Sequence, residues 1–191
     1  KQVAALMTIT GLIDAPKADK EFLSINGAQG FSTFYGYYML EAMATAGNYQ
    51  GALDVIREYW GAMIDLGATS FWEDFDINWI PNATPIDELV PEGKKDIHGD
   101  CGAYCYVGFR HSLCHGWASG PTSWLSRHIL GVEVIEPGCR QVRITPHLGD
   151  LQWVKGTFPT PYGEIQIYHE KQANGNVISE VKAPKGVSVI K

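Results

Sequence analysis

Several features are missing from this chain, and each absence excludes a class of protein. No run of about eighteen apolar residues occurs, so no segment reads as a membrane-spanning helix. No basic stripe is present and the net charge is −6, which argues against nucleic acid as a partner. Internal repeats and low-complexity tracts are absent, so solenoid and linker architectures drop out. The four cysteines, Cys101, Cys105, Cys114 and Cys139, form no C-x-x-C pair. Cys101 and Cys105 lie near His98 and His111, so a zinc site is the weaker reading and buried free thiols the stronger one. No leader is visible. The first residues, Lys1-Gln2-Val3-Ala4-Ala5-Leu6-Met7, read as the inside of a helix with no cap, and the whole protein is expected to start upstream.

What remains is ordinary globular composition, 45% hydrophobic and 19% charged, with a high aromatic share of 12%. The first half carries helical periodicity. Tyr35, Tyr38, Met39, Ala42 and Ala46 share one face, and Ala52, Val55, Ile56, Tyr59, Trp60 and Met63 share the next. Gly47-Asn48 separates them, with Asn48 as a candidate cap, and Gly67 closes the second. A connection this short predicts an antiparallel helical hairpin. A third helix is expected from Pro121 to Leu130, with Gly131 as its end.

Beyond Gly131 the period changes to two. Val142 and Ile144 alternate with Arg143 and Thr145, Ile165 and Ile167 with Gln166 and Tyr168, and Asn174-Gly175 signals a hairpin turn. The fold class expected is therefore multidomain, helices followed by strands, with a small antiparallel β-sandwich over residues 132–191.

Between the helices lies a long stretch, Ala68 to Ser119, that reads as irregular. It holds Trp72, Phe75, Trp79, Tyr104, Tyr106 and Trp117 among Asp, Gly, Pro and His. A loop of that length in a compact domain is generally functional or disordered, and its aromatics argue against disorder. Within it, Gly67-Ala68-Thr69-Ser70-Phe71-Trp72-Glu73-Asp74-Phe75 follows a helix end and presents Trp72 beside Glu73. Glycoside hydrolysis needs carboxylates flanking the scissile bond, and aromatic faces cover the C–H side of a sugar ring. The plainer alternative is that Trp72 is core and Glu73 solvated or capping. A second cluster, His111-Ser112-Leu113-Cys114-His115-Gly116-Trp117, places His115 before the third helix, where it can bond a sugar hydroxyl or simply a local carbonyl. Asp74, Asp76, Asp96 and Asp100 are secondary candidates for sugar contact.

Taken together these segments resemble bacterial α-L-rhamnosidases of glycoside hydrolase family 78, whose catalytic domain is a barrel of six helical hairpins. Gly67 to Glu73 resembles the motif that carries a catalytic Glu. Ser112-Leu113-Cys114-His115-Gly116-Trp117-Ala118-Ser119 resembles the later His motif. Gly131-Val132-Glu133-Val134-Ile135-Glu136-Pro137-Gly138 through Ile144-Thr145-Pro146-His147 resembles the exit into a C-terminal β-sandwich, and Gly156-Thr157 through Tyr162-Gly163-Glu164-Ile165 the sandwich itself. The resemblance implies the C-terminal part of an (α/α)6 barrel over residues 1–131, then the β-sandwich over 132–191. It implies inverting hydrolysis of terminal α-L-rhamnose, with Glu73 as general base, and Trp72, His115, Trp79 and Trp117 as substrate contacts. No cofactor or metal is required by that chemistry, and the partners implied are a rhamnoside substrate and the remainder of the catalytic domain upstream.

Three departures stand out. Asp74-Phe75 follows the Glu where many relatives have a basic residue and a second Trp, Cys114 replaces a more typical Asn, and the 42 positions from Glu73 to His115 make a longer gap. The partner acid is expected outside this chain, and the chain alone is expected to be inactive. The alternatives are a helical-barrel glycosidase for another sugar and a non-catalytic carbohydrate-binding or structural module.

Overall fold

The computed structural model describes residues 1–99 and 110–190, and divides into two compact units, residues 1–121 and 122–191. The first unit is helical. It begins with α1 (Gln2–Ile9) and α2 (Ala15–Ala18), which runs on as a π-helical turn, Asp19–Leu23. Asp14 caps α2 by accepting a hydrogen bond from the Lys17 amide at 3.0 Å. Next come α3 (Gly36–Thr45) and α4 (Tyr49–Asp65), the expected hairpin. Gly47 turns the chain at φ 79°, and the Asn48 carboxamide accepts from the Gly51 amide at 2.9 Å, capping α4. The helix buries Ala52, Leu53, Val55, Tyr59, Trp60 and Met63 along one face. Gly36 lets that face approach, since a Cβ there would stand 2.7 Å from Trp60 Cη2.

The stretch expected to be irregular holds some order. The strand β1 (Ala83–Thr84) pairs in parallel with β2 (Lys95–Asp96), and short 3-10 turns form at Ile77–Trp79 and Gly116–Ala118. Two-residue ladders and single turns carry no periodicity that a sequence pattern can register. Tyr104, Tyr106, Asp100, Cys101 and Cys105 lie outside the described residues.

The second unit starts inside the third helix. That helix runs as α5 (Gly120–Trp124) and continues as a π-helical turn, Leu125–Ile129. The sheets follow. One has the order β3 (Val132–Val134), β4 (Gln141–Ile144), β8 (Ser188–Ile190), and the other β5 (Trp153–Thr160), β6 (Gly163–Lys171), β7 (Val177–Lys182). The Asn174-Gly175 signal falls in the β6–β7 turn, where Gly175 has φ 85°. The β5–β6–β7 sheet is antiparallel throughout, whereas β8 pairs with β4 in parallel, so an all-antiparallel sandwich is not what forms. The closing strand returns to the first sheet after a whole second sheet has intervened, which frees it from the antiparallel order of a hairpin. Val132, Val142 and Ile144 from one sheet and Ile165 and Ile167 from the other enclose a shared core.

Leu130 belongs to that same core, and its carbonyl accepts from Nε2 of the wholly buried His169 at 3.1 Å. Within the second unit, the last helical turn thus packs with the strands it feeds. Gly131, at φ 74°, makes the bend, and a Cβ there would stand 2.3 Å from the Thr145 carbonyl carbon. Gly131→Ala is therefore expected to destabilise the second unit by at least ~1–3 kcal/mol from the left-handed backbone alone. Thermal unfolding of Gly131→Ala checks it; an unchanged midpoint contradicts this account of the bend.

Candidate active site

Glu73 lies in the first unit, in a segment without regular secondary structure after α4. Gly67, at φ 88°, ends the helix, and the Ala68 amide donates to the Met63 carbonyl at 2.9 Å. The following residues then pair with a second loop. The Glu73 amide donates to the Ser112 carbonyl at 2.8 Å, the Ser112 amide donates to Glu73 Oε2 at 3.1 Å, and the His115 amide donates to the Phe71 carbonyl at 2.7 Å. The Glu73 carbonyl accepts two more bonds, from the Thr33 hydroxyl and from Trp117 Nε1, the latter at 2.7 Å. A residue held at its amide, its carbonyl and one carboxylate oxygen has little freedom left. The other oxygen, Oε1, has no hydrogen bond among the described residues, and the side chain is half-buried.

His115 joins Glu73 through Trp117. The two rings stand 4.1 Å apart, centroid to centroid, while the same indole bonds the Glu73 carbonyl. The His115 ring nitrogens make no hydrogen bond among the described residues, which leaves them open to a hydroxyl. Trp117 is 47% exposed, and an aromatic group continues from it: Phe34, 44% exposed, meets Trp117 edge to face at 5.9 Å, and also Tyr35 at 5.0 Å and Tyr38 at 5.9 Å. The result is an exposed aromatic wall beside a fixed carboxylate.

Trp72 is not part of that wall. It is 0% exposed, packed edge-on against Phe75 at 5.9 Å and His111 at 6.2 Å, so the expected role in lining a pocket is replaced by a core role. Trp72 is buried while Glu73 beside it is half-buried. Trp79 is half-buried and packs edge-on against Phe75 and His111, both about 6 Å away. Its ring thus supports the core side of the loop rather than the Trp117 wall.

His111, the less favoured histidine of its cluster, is a buried support. Its Nε2 accepts from the Asp74 amide at 3.1 Å, which leaves the proton on Nδ1 to donate to the Ile97 carbonyl at 2.8 Å. The aspartates mostly serve local structure. Asp76 accepts from the Asn78 amide at 2.8 Å, and Asp96 from the His98 amide and ring. Burial raises the Asp74 carboxyl above its ordinary value; the Phe75 amide and His111 oppose this, and the charges of Asp76 and Glu73 add to it. Burial, then the Asp74 and Asp76 charges, also pushes the Tyr59 phenol far up, and that phenol donates to the Phe75 carbonyl. Among the described residues no group of three or more His, Cys, Asp or Glu could hold a metal ion, and no helix is long and apolar enough to cross a membrane.

Sequence reasoning gave Thr33, Phe34, Tyr35, Tyr38 and Ser112 no role at the site. The one local signal for the first four is the aromatic density of Thr33-Phe34-Tyr35-Gly36-Tyr37-Tyr38 at a helix entrance. Ser112 acts through its backbone, which leaves no trace in the residue type.

The comparisons with known proteins agree with this architecture. Residues 131–190 match the model of the bacterial alpha-L-rhamnosidase C-terminal domain. Over 98% of its length the chain is similar to the GH78 family rhamnosidase of Bacillus sp. GL1, at 25% identity with a TM-score of 0.73. It is similar over 98% to the α-L-rhamnosidase of Aspergillus terreus, at 20% identity with a TM-score of 0.75. The Streptomyces avermitilis α-L-rhamnosidase, solved complexed with L-rhamnose, matches over 97% at 18% identity with a TM-score of 0.70. The chain spans 18%, 21% and 17% of those three structures, about a fifth of their length. No curated protein sequence matches it.

The raised Asp74 carboxyl has a testable sign. Its neutral form is favoured in the fold, so its contribution to stability is full below the ordinary value of 3.8 and is lost as pH rises through the elevated folded value. Asp74→Asn keeps an oxygen for the Phe75 amide and removes the charge. It is expected to be at least as stable as the wild type at neutral pH, with the difference vanishing in acid. Thermal melts between about pH 3 and pH 7 check this, and a neutral-pH loss in Asp74→Asn contradicts it.

Proposed function

We propose that the complete protein is an α-L-rhamnosidase working with inversion, and that Glu73 is its general base. The observation that carries this reading is the state of the Glu73 carboxylate. One oxygen is held by the Ser112 amide, the other accepts no hydrogen bond among the described residues, and Trp117 links the Glu73 backbone carbonyl to the His115 ring. In this reading Oε1 takes a proton from a water molecule as that water attacks the anomeric carbon from the face opposite the leaving oxygen. A second carboxylic acid, supplied by the part of the catalytic domain outside this chain, protonates that oxygen as the glycosidic bond breaks. Such a pair stands about 6.5–9.5 Å apart to leave room for the water. His115 donates to or accepts from a sugar hydroxyl, and the Phe34–Trp117 wall covers the apolar face of the ring or of the aglycone. The first unit is then the closing part of a six-hairpin barrel. The relatives' shared fold and the family match of residues 131–190 support the reading.

In the full-length protein, Glu73→Gln is expected to lower kcat on an aryl α-L-rhamnoside by about 10²–10⁴-fold. His115→Ala is expected to act chiefly on KM. Residues 1–191 alone are expected to give no turnover. Undiminished turnover by Glu73→Gln sinks the assignment of the base, and a preference for another aryl glycoside in the same assay redirects the sugar without moving the base.

A further inference from the structure

We infer that the outer face of the β5–β6–β7 sheet, in the second unit, is a separate binding surface for a neutral oligosaccharide. The register defines the face. Across the three strands it presents a first row of Trp153, Glu170 and Ile178, a second of Lys155, Tyr168 and Glu180, and a third of Thr157, Gln166 and Lys182. The alternate residues Val154, Phe158, Ile165, Ile167 and Val181 turn the other way, into the core. A shallow groove of about 460 Å³ runs over the second and third rows, lined by Lys155, Thr157, Gln166, Tyr168, Glu180 and Lys182. That volume falls within the range of small-ligand sites.

Charge and chemistry select the occupant. Lys155 and Lys182 are balanced by Glu170 and Glu180, so the face offers no net charge to an anionic polymer, nucleic acid or membrane. Protein interfaces deplete charge at their centre and gather apolar side chains there. Here the central row is Lys155–Tyr168–Glu180, and the large indole stands at its margin. Trp153 is 60% exposed although it lies within a strand, and the Tyr168 hydroxyl donates to Glu170 at 3.0 Å on the same face. A flat indole against sugar C–H groups, with hydroxyl, amide and ammonium groups beyond it, is the pattern a pyranose chain satisfies. Rows two residues apart along a strand stand about 6.8 Å apart, so three rows span roughly 14 Å, the length of a short oligosaccharide rather than of one sugar.

The surface is made of residues of the second unit, Glu73 belongs to the first, and the inference does not require Glu73 to be a base. The test is titration of the full-length protein with neutral rhamno- and cello-oligosaccharides of three to four units, read by calorimetry. Saturable binding to either series is expected, weakened at least tenfold by Trp153→Ala and by Gln166→Ala and partly retained in Trp153→Tyr, with the circular dichroism unchanged. Hydrolysis of a small aryl rhamnoside is expected to be unaffected by these substitutions, whereas Glu73→Gln is expected to leave this binding intact. No saturable binding in either series overturns the inference, as does binding that survives both alanine substitutions. So does a Trp153 indole shielded from acrylamide quenching in the sugar-free protein, measured against Trp153→Phe, because the face is then covered by protein.

Discussion

The hydrogen-bonded clasp between residues 71–73 and residues 112–115 holds the helical unit's candidate site in place. Neither loop has regular structure to orient it, and the two are far apart in sequence. Three backbone and carboxylate bonds join them: Glu73 amide to Ser112 carbonyl, Ser112 amide to Glu73 Oε2, and His115 amide to Phe71 carbonyl. A buried or half-buried backbone group left without a partner costs about as much as a lost hydrogen bond. The loops are therefore held together by the same requirement that holds a sheet, with the Glu73 carboxylate enlisted as one of the acceptors. Trp117 and Thr33 close the arrangement on the Glu73 carbonyl from two further directions.

The clasp also separates support from chemistry. On its inner side Trp72, Phe75, Tyr59 and His111 form an aromatic cluster, each ring meeting its neighbour edge to face, an arrangement worth about 0.5–1.5 kcal/mol per pair beyond burial. On its outer side stand Glu73, His115 and the Phe34–Trp117 wall. The rigid interior sets where the carboxylate sits, and the outer side leaves one of its oxygens without a hydrogen bond among the described residues. Preorganised groups of this kind lose little freedom when a substrate arrives.

The second unit is built on a different constraint. Leu130 and the bend at Gly131 tie the end of a helix into the core that both sheets share. Gly156 serves the same packing on β5, since a Cβ there would stand 2.6 Å from Leu130 Cδ1. The inner face of the β5–β6–β7 sheet is thereby committed to the core, and Trp153 and Tyr168 stand on its other face.

The helical hairpin, the third helix and the strands carrying Val142, Ile144, Ile165 and Ile167 were legible in the residues alone, because burying one face of an element imposes a period of 3.6 or 2 on the chain. Glu73 and His115 were legible as candidates by residue type and motif. Other features were set by contacts between distant residues, which leave no local pattern. Trp72 and Glu73 are neighbours in sequence, and only the packing of His111 and Phe75 against the indole decided which of them faces inward. The parallel pairing of β8 with β4, the part taken by Ser112 through its backbone, and the recruitment of Phe34 to the Trp117 wall have the same origin. Sequence by itself determined which elements form and which side chains can do chemistry; tertiary structure decided which of those side chains meet, because hydrogen-bond partners and packing neighbours are chosen across the fold rather than along the chain.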